Sequence, residues 1–599
     1  MNNPDANVIK LRPDVATIKP DRPCWAVYEH WVTNEKGEKL RPGVYRHGFK
    51  RSVLDQETDE DSNTARPTVD EWIATPVTVI ARTTNSDDDS EGRLLRLVTE
   101  RGVREWIIPM EVFGGSGEDA RRQLFSMGGI IALKKRGAFM EYLLAQCPTE
   151  VFATTCRPGW HESGAFVLPG RTLGSDKVRY QSSGKGQSLF SLRGDLEAWK
   201  TEVATKCEGN PVLTLAIGCA LAGPLLSLVG VLGGGVHLVG DSSSGKSLAQ
   251  LIGSSVWGDP SIFAASWDMT KGGLEIEASG RNDTLLPLDE IKRADPKRVQ
   301  EMAYSLANGQ GKGTMTRERE GRPKLSWRLL TLSSGERSLS EHAAIGGNAA
   351  HAGAELRMVD VNAGTRTHRA FDELHGLDGA NFHRELTVAV GAHHGHIGPA
   401  FVEKLLASDD RPGLLKDFAG IRSRFTEDNA QAGRVADRFA VIALAGEMAI
   451  AYGLLPWTPG SALADCQLLY GEWLGRVGSG NAEDRQILAG IADFIDKHGS
   501  SRFSDVNASD DDTKVFNRAG YWELIGTRRL YLFNKSALIE AAHGYGLSRI
   551  IKALEGAGAI AKRDSDRKRH TKKYRVPGGG SPGLYVINPE TIDGEGGSV

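Results

Sequence analysis

Eight residues, Gly240-Asp241-Ser242-Ser243-Ser244-Gly245-Lys246-Ser247, constrain this chain more than any other feature. They follow a short apolar run, Val236-His237-Leu238-Val239, and lead into Leu248-Ala249-Gln250-Leu251-Ile252. Strand, glycine-framed loop and helix form the context that gives G-x-x-x-x-G-K-[S/T] its meaning. Gly240 and Gly245 let the backbone curl so that successive N–H groups converge on an anion. The following helix adds partial positive charge at its N-terminus. Lys246 is then placed to reach β- and γ-phosphates, and the Ser247 hydroxyl to ligate Mg²⁺. The expected ligands are therefore ATP and Mg²⁺, bound by Gly240, Asp241, Ser242, Ser243, Ser244, Gly245, Lys246 and Ser247. A Gly/Ser-rich linker with a chance Gly-Lys-Ser is the competing explanation, and the flanking strand and helix disfavour it.

A second element turns binding into chemistry. Thr284-Leu285-Leu286-Pro287-Leu288 is an apolar strand ending in Asp289-Glu290. Asp289 is expected to hold the metal and Glu290 to polarise the attacking water, general-base work beside a cation. That pair points to a hydrolase rather than a small-molecule kinase. Pro287 is awkward there, because it removes a ladder donor from what should be a central strand. A third strand, Trp327–Leu332, runs into Ser333-Ser334-Gly335-Glu336-Arg337. Ser333 or Ser334 is the candidate to touch the γ-phosphate or the water, with a plain turn as the alternative. For an arginine finger, which neutralises charge on a neighbouring subunit's nucleotide, Arg357 leads, then Arg337. Arg434 and Arg438 are alternatives for sensing nucleotide from the helical subdomain, and each of these arginines taken alone is more often a surface ion-pair residue.

The whole chain sets limits on the rest. At 599 residues it exceeds one hydrophobic core, so three or four domains are expected. Net charge is −3, so any nucleic-acid surface must be a local patch. Six cysteines without a Cys-x-x-Cys pair argue against a zinc ribbon or a disulfide framework and fit a cytoplasmic protein. Residues 1–19 contain no apolar h-region, so no secretion signal is read. The apolar stretch Val212–Val239 is interrupted by Pro224 and Gly233-Gly234-Gly235, which predicts a buried helix, a loop and a core strand rather than a membrane span.

The fold class expected is an α/β P-loop core of ASCE, AAA+-like type at 208–400. Before it come a disordered tail (1–22), a β-rich domain (23–147) and a connecting segment (148–207). After it come a helical subdomain (401–482), a winged-helix-like domain (483–577) and a flexible tail (578–599). In the β-rich part, strands are read at Trp25–Tyr28, Val77–Ala81, Leu94–Val98 and Trp106–Ile108, with helices near 118–128 and 137–146. The winged-helix reading rests on a helix at Leu547–Gly556 and strands at Ala559–Asp564, Tyr574–Val576 and Leu584–Ile587.

Taken in order, Arg157-Pro158-Gly159-Trp160-His161, Phe166-Val167-Leu168-Pro169, the phosphate loop, Trp267-Asp268-Met269-Thr270, Gly273-Leu274-Glu275, Leu288-Asp289-Glu290, Ala307–Lys312 and Trp327–Arg337 resemble a bacterial and prophage family. It is the family called domain of unknown function nine-two-seven, which is similar to hexameric superfamily-three helicases of phages and plasmids. The resemblance runs from about Cys24 to at least His498. It implies a ring-forming ATPase in mobile-element replication, working with a separate primase or replication protein. No zinc or TOPRIM-like priming signature accompanies it. The Trp267–Thr270 segment has no chemical explanation beyond the resemblance.

Two basic segments are candidates for DNA. In the helicases resembled, an insertion before the third strand is a hairpin gripping the nucleic-acid backbone. Here 310–324 contains Lys312, Arg317 and Arg319, which would contact phosphates without reading sequence. A solvated loop of paired Arg and Glu side chains explains it equally well. The stretch 562–575 is more one-sided, and Lys568, Arg569, Lys572 and Lys573 on a wing would follow a phosphate backbone. Its alternatives are a soluble loop or an inter-subunit contact. His393-His394-Gly395-His396 lacks a carboxylate or cysteine at ligand spacing and is read as a loop.

The sequence thus predicts an ATP-driven DNA motor, a hexameric ring helicase of phage, prophage or plasmid replication acting on single-stranded or forked DNA, with no membrane partner. The rival is an ATP-gated DNA-binding or scaffold protein in defence or regulation, without unwinding.

Overall fold

The computed structural model describes residues 16–50, 67–181, 189–313, 324–347, 355–426, 430–477, 482–508, 515–563 and 570–592. Contacts divide the chain into two units, Met1–Ser188 and Leu189–Val599.

In the first unit, alternating apolar residues build a five-stranded sheet. Its order is Val178–Tyr180, Val151–Thr155, Val77–Asn85, Glu91–Thr99 and Gly102–Pro109. Val77, Val79 and Ala81 turn inward while Thr78 and Ile80 are only half-buried, the period of two expected of a strand with one covered face. Two of these strands, Val151–Thr155 and Val178–Tyr180, come from the segment expected to connect two domains. A three-stranded sheet (Cys24–Tyr28, Gly43–Phe49, Thr68–Ala74) and helices Glu118–Ser126 and Arg136–Ala145 share the core of Val44, Ile73, Leu95, Leu97, Phe139 and Leu143.

The second unit is organised by a parallel sheet. Its strands are β1 (Gly234–Val239), β2 (Ala265–Ser266), β3 (Leu285–Asp289), β4 (Leu330–Gly335) and β5 (Met358–Asn362). Their order across the sheet is β2-β3-β4-β1-β5, all parallel. β1 and β3 are thus not neighbours, because β4 lies between them. Pro287 is tolerated for a local reason. It faces the same side as Asp289, whose carbonyl accepts from the Trp267 N–H, and β2 begins only opposite Leu288. On that side β2 has no residue paired with Pro287.

Helix α1 (Pro211–Val229) is long and apolar enough to cross a membrane, yet 89% of its apolar window is buried inside this unit. Its Gly218 lies against Ile442 of helix Ala430–Ala451, where a Cβ would come within 2.7 Å of Ile442 Cγ2. The loop and β1 follow, as the interruptions in the sequence predicted. Helix α2 (Lys246–Ser255) packs across the sheet, and its Gln250 amide donates to the carbonyls of Leu288 (2.8 Å) and Leu332 (2.9 Å). Helix α3 (Gly379–Ala392), capped by Asp378, packs beside α2.

Further along, helix Leu547–Gly556 and strands Gly520–Ile525, Arg528–Phe533, Gly583–Ile587 and Ile560–Lys562 close around Phe503, Phe533, Leu538, Ile550 and Leu554. Gly583–Ile587, where a strand was read at Leu584–Ile587, lies inside this sheet between Arg528–Phe533 and Ile560–Lys562, so the flexible tail expected over 578–599 does not include it. Four consecutive buried residues, Leu584 to Ile587, explain the difference. The short wing strand is Lys572–Lys573, not Tyr574–Val576.

Candidate nucleotide site

β1 ends at Val239 and the chain turns through Gly240–Gly245 into α2. Gly245 is the N-cap at φ +110°, and a Cβ there would meet Phe371 at 2.6 Å and Ala370 at 2.9 Å. Only glycine fits both the backbone and the space. Ser243, at φ +59°, forms the crest of the loop. The Lys246 ammonium donates to the carbonyls of Gly240 (2.7 Å) and Asp241 (2.7 Å) and to Ser244 Oγ (3.0 Å). The loop's own oxygens thus meet all three ammonium donors. Burial pulls its pKa below the usual lysine value, opposed by the carboxylates of Glu336, Glu290, Asp241 and Asp289. Ser247 is exposed at the cleft.

β3 delivers Asp289 and Glu290 to the same end of the sheet. β4, lying between, supplies the connection: Ser334 Oγ donates to Asp289 Oδ1 at 2.8 Å and accepts from the Glu290 N–H at 3.3 Å. Glu290 is held at φ +62°, an uncommon conformation for a side-chain-bearing residue. Its Oε2 lies 3.5 Å from Lys292 Nζ, while its buried Oε1 has no hydrogen-bond partner among the described residues. A buried acceptor left open calls for a reason. An oxygen poised to take a proton from water is one.

Ser333, the other serine expected at this place, has a different task. Side chains alternate along a strand, so Ser333 faces away from Ser334. Trp267 Nε1–H donates to Ser333 Oγ (2.9 Å), Ser333 contacts His237 Nδ1 (2.8 Å), and His237 Nε2 contacts the Arg337 carbonyl (2.9 Å). Indole can only donate and a carbonyl can only accept, so the direction of the chain is determined. Nε2 carries the hydrogen, and Ser333 donates to a bare Nδ1. Burial keeps this ring neutral, with its pKa drawn down to about 4. The network gives the Trp267 segment its purpose: its indole and its backbone N–H, which meets the Asp289 carbonyl at 3.2 Å, join β2 to the ends of β3 and β4.

The cleft over the loop has a volume of about 800 Å³. Its second wall comes from a segment that sequence analysis passed over. After β5, Ala363 N–H donates to the Val239 carbonyl (2.7 Å), Arg369 Nη1 to the Ser243 carbonyl (2.9 Å) and Ala370 N–H to the Ser244 carbonyl (3.0 Å). Nothing in the local pattern of Gly364–Phe371 signals this role. Glu336 was also passed over, although its carboxylate acts on Lys246 more strongly than Glu290 or Asp289 does. Its position directly after Ser333-Ser334-Gly335 was the available signal.

Of the arginine candidates, Arg357 and Arg438 lie elsewhere. Arg357 precedes β5, at the edge of the sheet opposite the phosphate loop, and stacks 4.1 Å over the Tyr304 ring. Arg438 is buried, donating to the carbonyls of Gly235 (3.3 Å) and Leu356 (3.2 Å), and burial lowers its pKa to about 10. It clamps the start of β1, far from the loop.

Of the DNA candidates, Arg317, Arg319, Lys568 and Arg569 lie outside the described residues. Lys312 is exposed at the neck of a hairpin formed by the Gln310–Ser326 bridge and the Gly311 N–H to Leu325 carbonyl bond (2.8 Å). Its N–H donates to the buried Glu275 carboxylate (3.1 and 3.2 Å). Lys572 and Lys573 sit on the wing strand, beside the ion pairs Lys562–Glu523 (2.7 Å) and Arg563–Glu555 (2.8 Å). The histidine tract is engaged by backbone: His394 with the Val390 carbonyl and His396 with the Arg193 carbonyl, both at 3.1 Å.

A protein family described as domain of unknown function, DUF927, matches residues 39–324. That segment spans just under half of the chain, less than the Cys24–His498 resemblance, and contains the phosphate loop and Asp289–Glu290 but not Ser334 or Arg369. No curated protein matches in sequence. Among solved structures the chain is similar to one titled "SCCmec type IV Cch - active helicase", with a TM-score of 0.69 and 17% identity over 96% of this chain and 100% of that one. The segment that matches this family and the residues after it thus share a fold with that protein.

Proposed function

We propose that this chain is an ATP-hydrolysing DNA motor that works as a ring of copies, superfamily-three-like, in phage, prophage or plasmid replication. The observation that carries this reading is Ser334 on β4 joining Asp289 and Glu290 beside the Lys246 loop. A strand inserted between the phosphate-loop strand and the acidic strand supports an ASCE, AAA+-like core. The shared fold with a protein titled a helicase supports the motor.

In this reading the loop N–H groups and Lys246 bind the β- and γ-phosphates, with Lys246 exchanging its carbonyl partners for phosphate oxygens. Bound Mg²⁺ would supply charge to neutralise the phosphate oxygens. Ser247, exposed at the cleft, and Asp289, oriented by Ser334, fit as its ligands. Glu290 Oε1 accepts the proton of the water that attacks the γ-phosphorus, and ADP leaves as the bridging bond breaks. Arg357, remote from its own loop, would serve only a neighbouring copy. Lys312, Lys572 and Lys573, with Arg317, Arg319, Lys568 and Arg569, would contact DNA phosphates.

The test is ATP turnover and strand displacement on forked duplex, with Lys246→Ala alongside. Turnover lost in the variant and ATP-dependent unwinding by the wild type support the motor. Wild-type turnover in Lys246→Ala would remove the site assignment. Tight DNA binding with slow, DNA-insensitive hydrolysis would favour the ATP-gated scaffold instead.

A further inference from the structure

We propose that the turn Arg366–Phe371 and the start of α3 form a nucleoside seat, so that the site takes a nucleoside triphosphate rather than a bare polyphosphate. The proposal rests on reading Gly240–Ser247 as a triphosphate loop and adds the part of the ligand that loop does not touch. A cleft of about 800 Å³ is nucleotide-sized, and the phosphate loop lines only one side of it. The other side is lined by His368, Arg369, Phe371, Leu374 and His383, with Gly379 and Ala380 at the start of α3.

The chemistry of that wall suits a nucleobase and ribose. Leu374 is half-buried and Phe371 buried, giving an apolar surface for a flat ring. His368 and His383 are exposed there, and imidazole both stacks on a heteroaromatic ring and exchanges hydrogen bonds with its edge. Gly379 and Ala380 leave room for close approach. Among the described residues no carboxylate lines this wall to repel the phosphates that follow the ribose. Arg369 stands at the junction, with one guanidinium nitrogen on the Ser243 carbonyl.

The seat and the loop are joined. Phe371 and Ala370 fill the space beneath Gly245, and Ala370 N–H holds the Ser244 carbonyl. The turn is also anchored from behind, by Arg366 to Glu472 of helix Ser461–Val477. Base and triphosphate positions are therefore set by one packed unit, which is the preorganisation that discrimination between ligands requires.

The experiment compares Mg-ATP with Mg-tripolyphosphate by calorimetry on the full chain. Wild type, Leu374→Arg, His383→Ala and Lys246→Ala are measured, with thermal melts confirming that each variant folds. The wild type should bind ATP at least tenfold more tightly than tripolyphosphate. Leu374→Arg should abolish most of that gap and His383→Ala narrow it, both leaving tripolyphosphate affinity unchanged, whereas Lys246→Ala should weaken both ligands. Equal wild-type affinity for the two, or a gap untouched in folded Leu374→Arg and His383→Ala, overturns the seat while the phosphate loop stands. Failure of the wild type to bind either ligand overturns the phosphate-loop reading and the seat with it.

Discussion

Ser334 Oγ stands 2.8 Å from Asp289 Oδ1 and accepts the Glu290 N–H, so one hydroxyl from β4 holds both the Asp289 carboxylate and the backbone of Glu290. Removing it leaves both residues in place but frees the Asp289 carboxylate and loosens the Glu290 backbone. Ser334→Ala should lower ATP turnover about 10- to 100-fold and raise the Mg²⁺ concentration needed for half-maximal rate. A Mg²⁺ titration of turnover checks this, and an unchanged Mg²⁺ profile would remove Ser334 from the site.

Glu290 carries the open buried oxygen. Glu290→Gln keeps the shape and deletes the base, so turnover should fall by about 10²- to 10⁴-fold while ATP affinity holds within a fewfold. Equilibrium binding and single-turnover hydrolysis separate the two quantities. Turnover near the wild-type rate would assign the proton transfer to another group, with Glu336, which also acts on Lys246, the alternative.

The His237 relay predicts a pH dependence. Its folded pKa lies near 4 against an ordinary 6.5, so the unfolded chain takes up a proton that the folded chain refuses. The resulting stability is full above pH 6.5 and lost as pH falls toward 4, by up to about 3 kcal/mol. Urea unfolding of wild type and His237→Gln should show a gap that shrinks across that window. A gap constant with pH would mean that the ring is not held neutral.

Asp360 on β5 has the opposite sign. Burial, and then Glu355, push its carboxyl from 3.8 to about 7 against the pull of Arg476 and a backbone hydrogen bond from Leu339. Its Oδ1 has no hydrogen-bond partner among the described residues. The wild-type acid is at ease while protonated and loses stability as pH rises from about 4 through 7. Asp360→Asn should therefore match the wild type at pH 4 and exceed it at pH 8, by up to about 4 kcal/mol. Melting curves at the two pH values test it, and a variant less stable at pH 8 would contradict the assignment.

The amino-acid order alone determined the parts of this protein that are local. The loop Gly240–Ser247, its flanking strand and helix, the Asp289–Glu290 strand end and helix Leu547–Gly556 were all legible. Each depends on backbone conformation or periodicity within about ten residues, which neighbouring residue types control. The division of labour between Ser333 and Ser334 was not legible, because adjacent strand residues face opposite ways and only the neighbouring elements show which way is in. Arg369 and the turn beneath Gly245 were invisible for a related reason. Their role comes from where β5 sits beside β1, a pairing between strands far apart in sequence. The strand at Leu584–Ile587 was legible, but its place inside the sheet needed its partners in the same way. Tertiary structure decided which distant groups share the cleft, since hydrogen-bond distances across a sheet are set by strand order, and no single segment encodes that order.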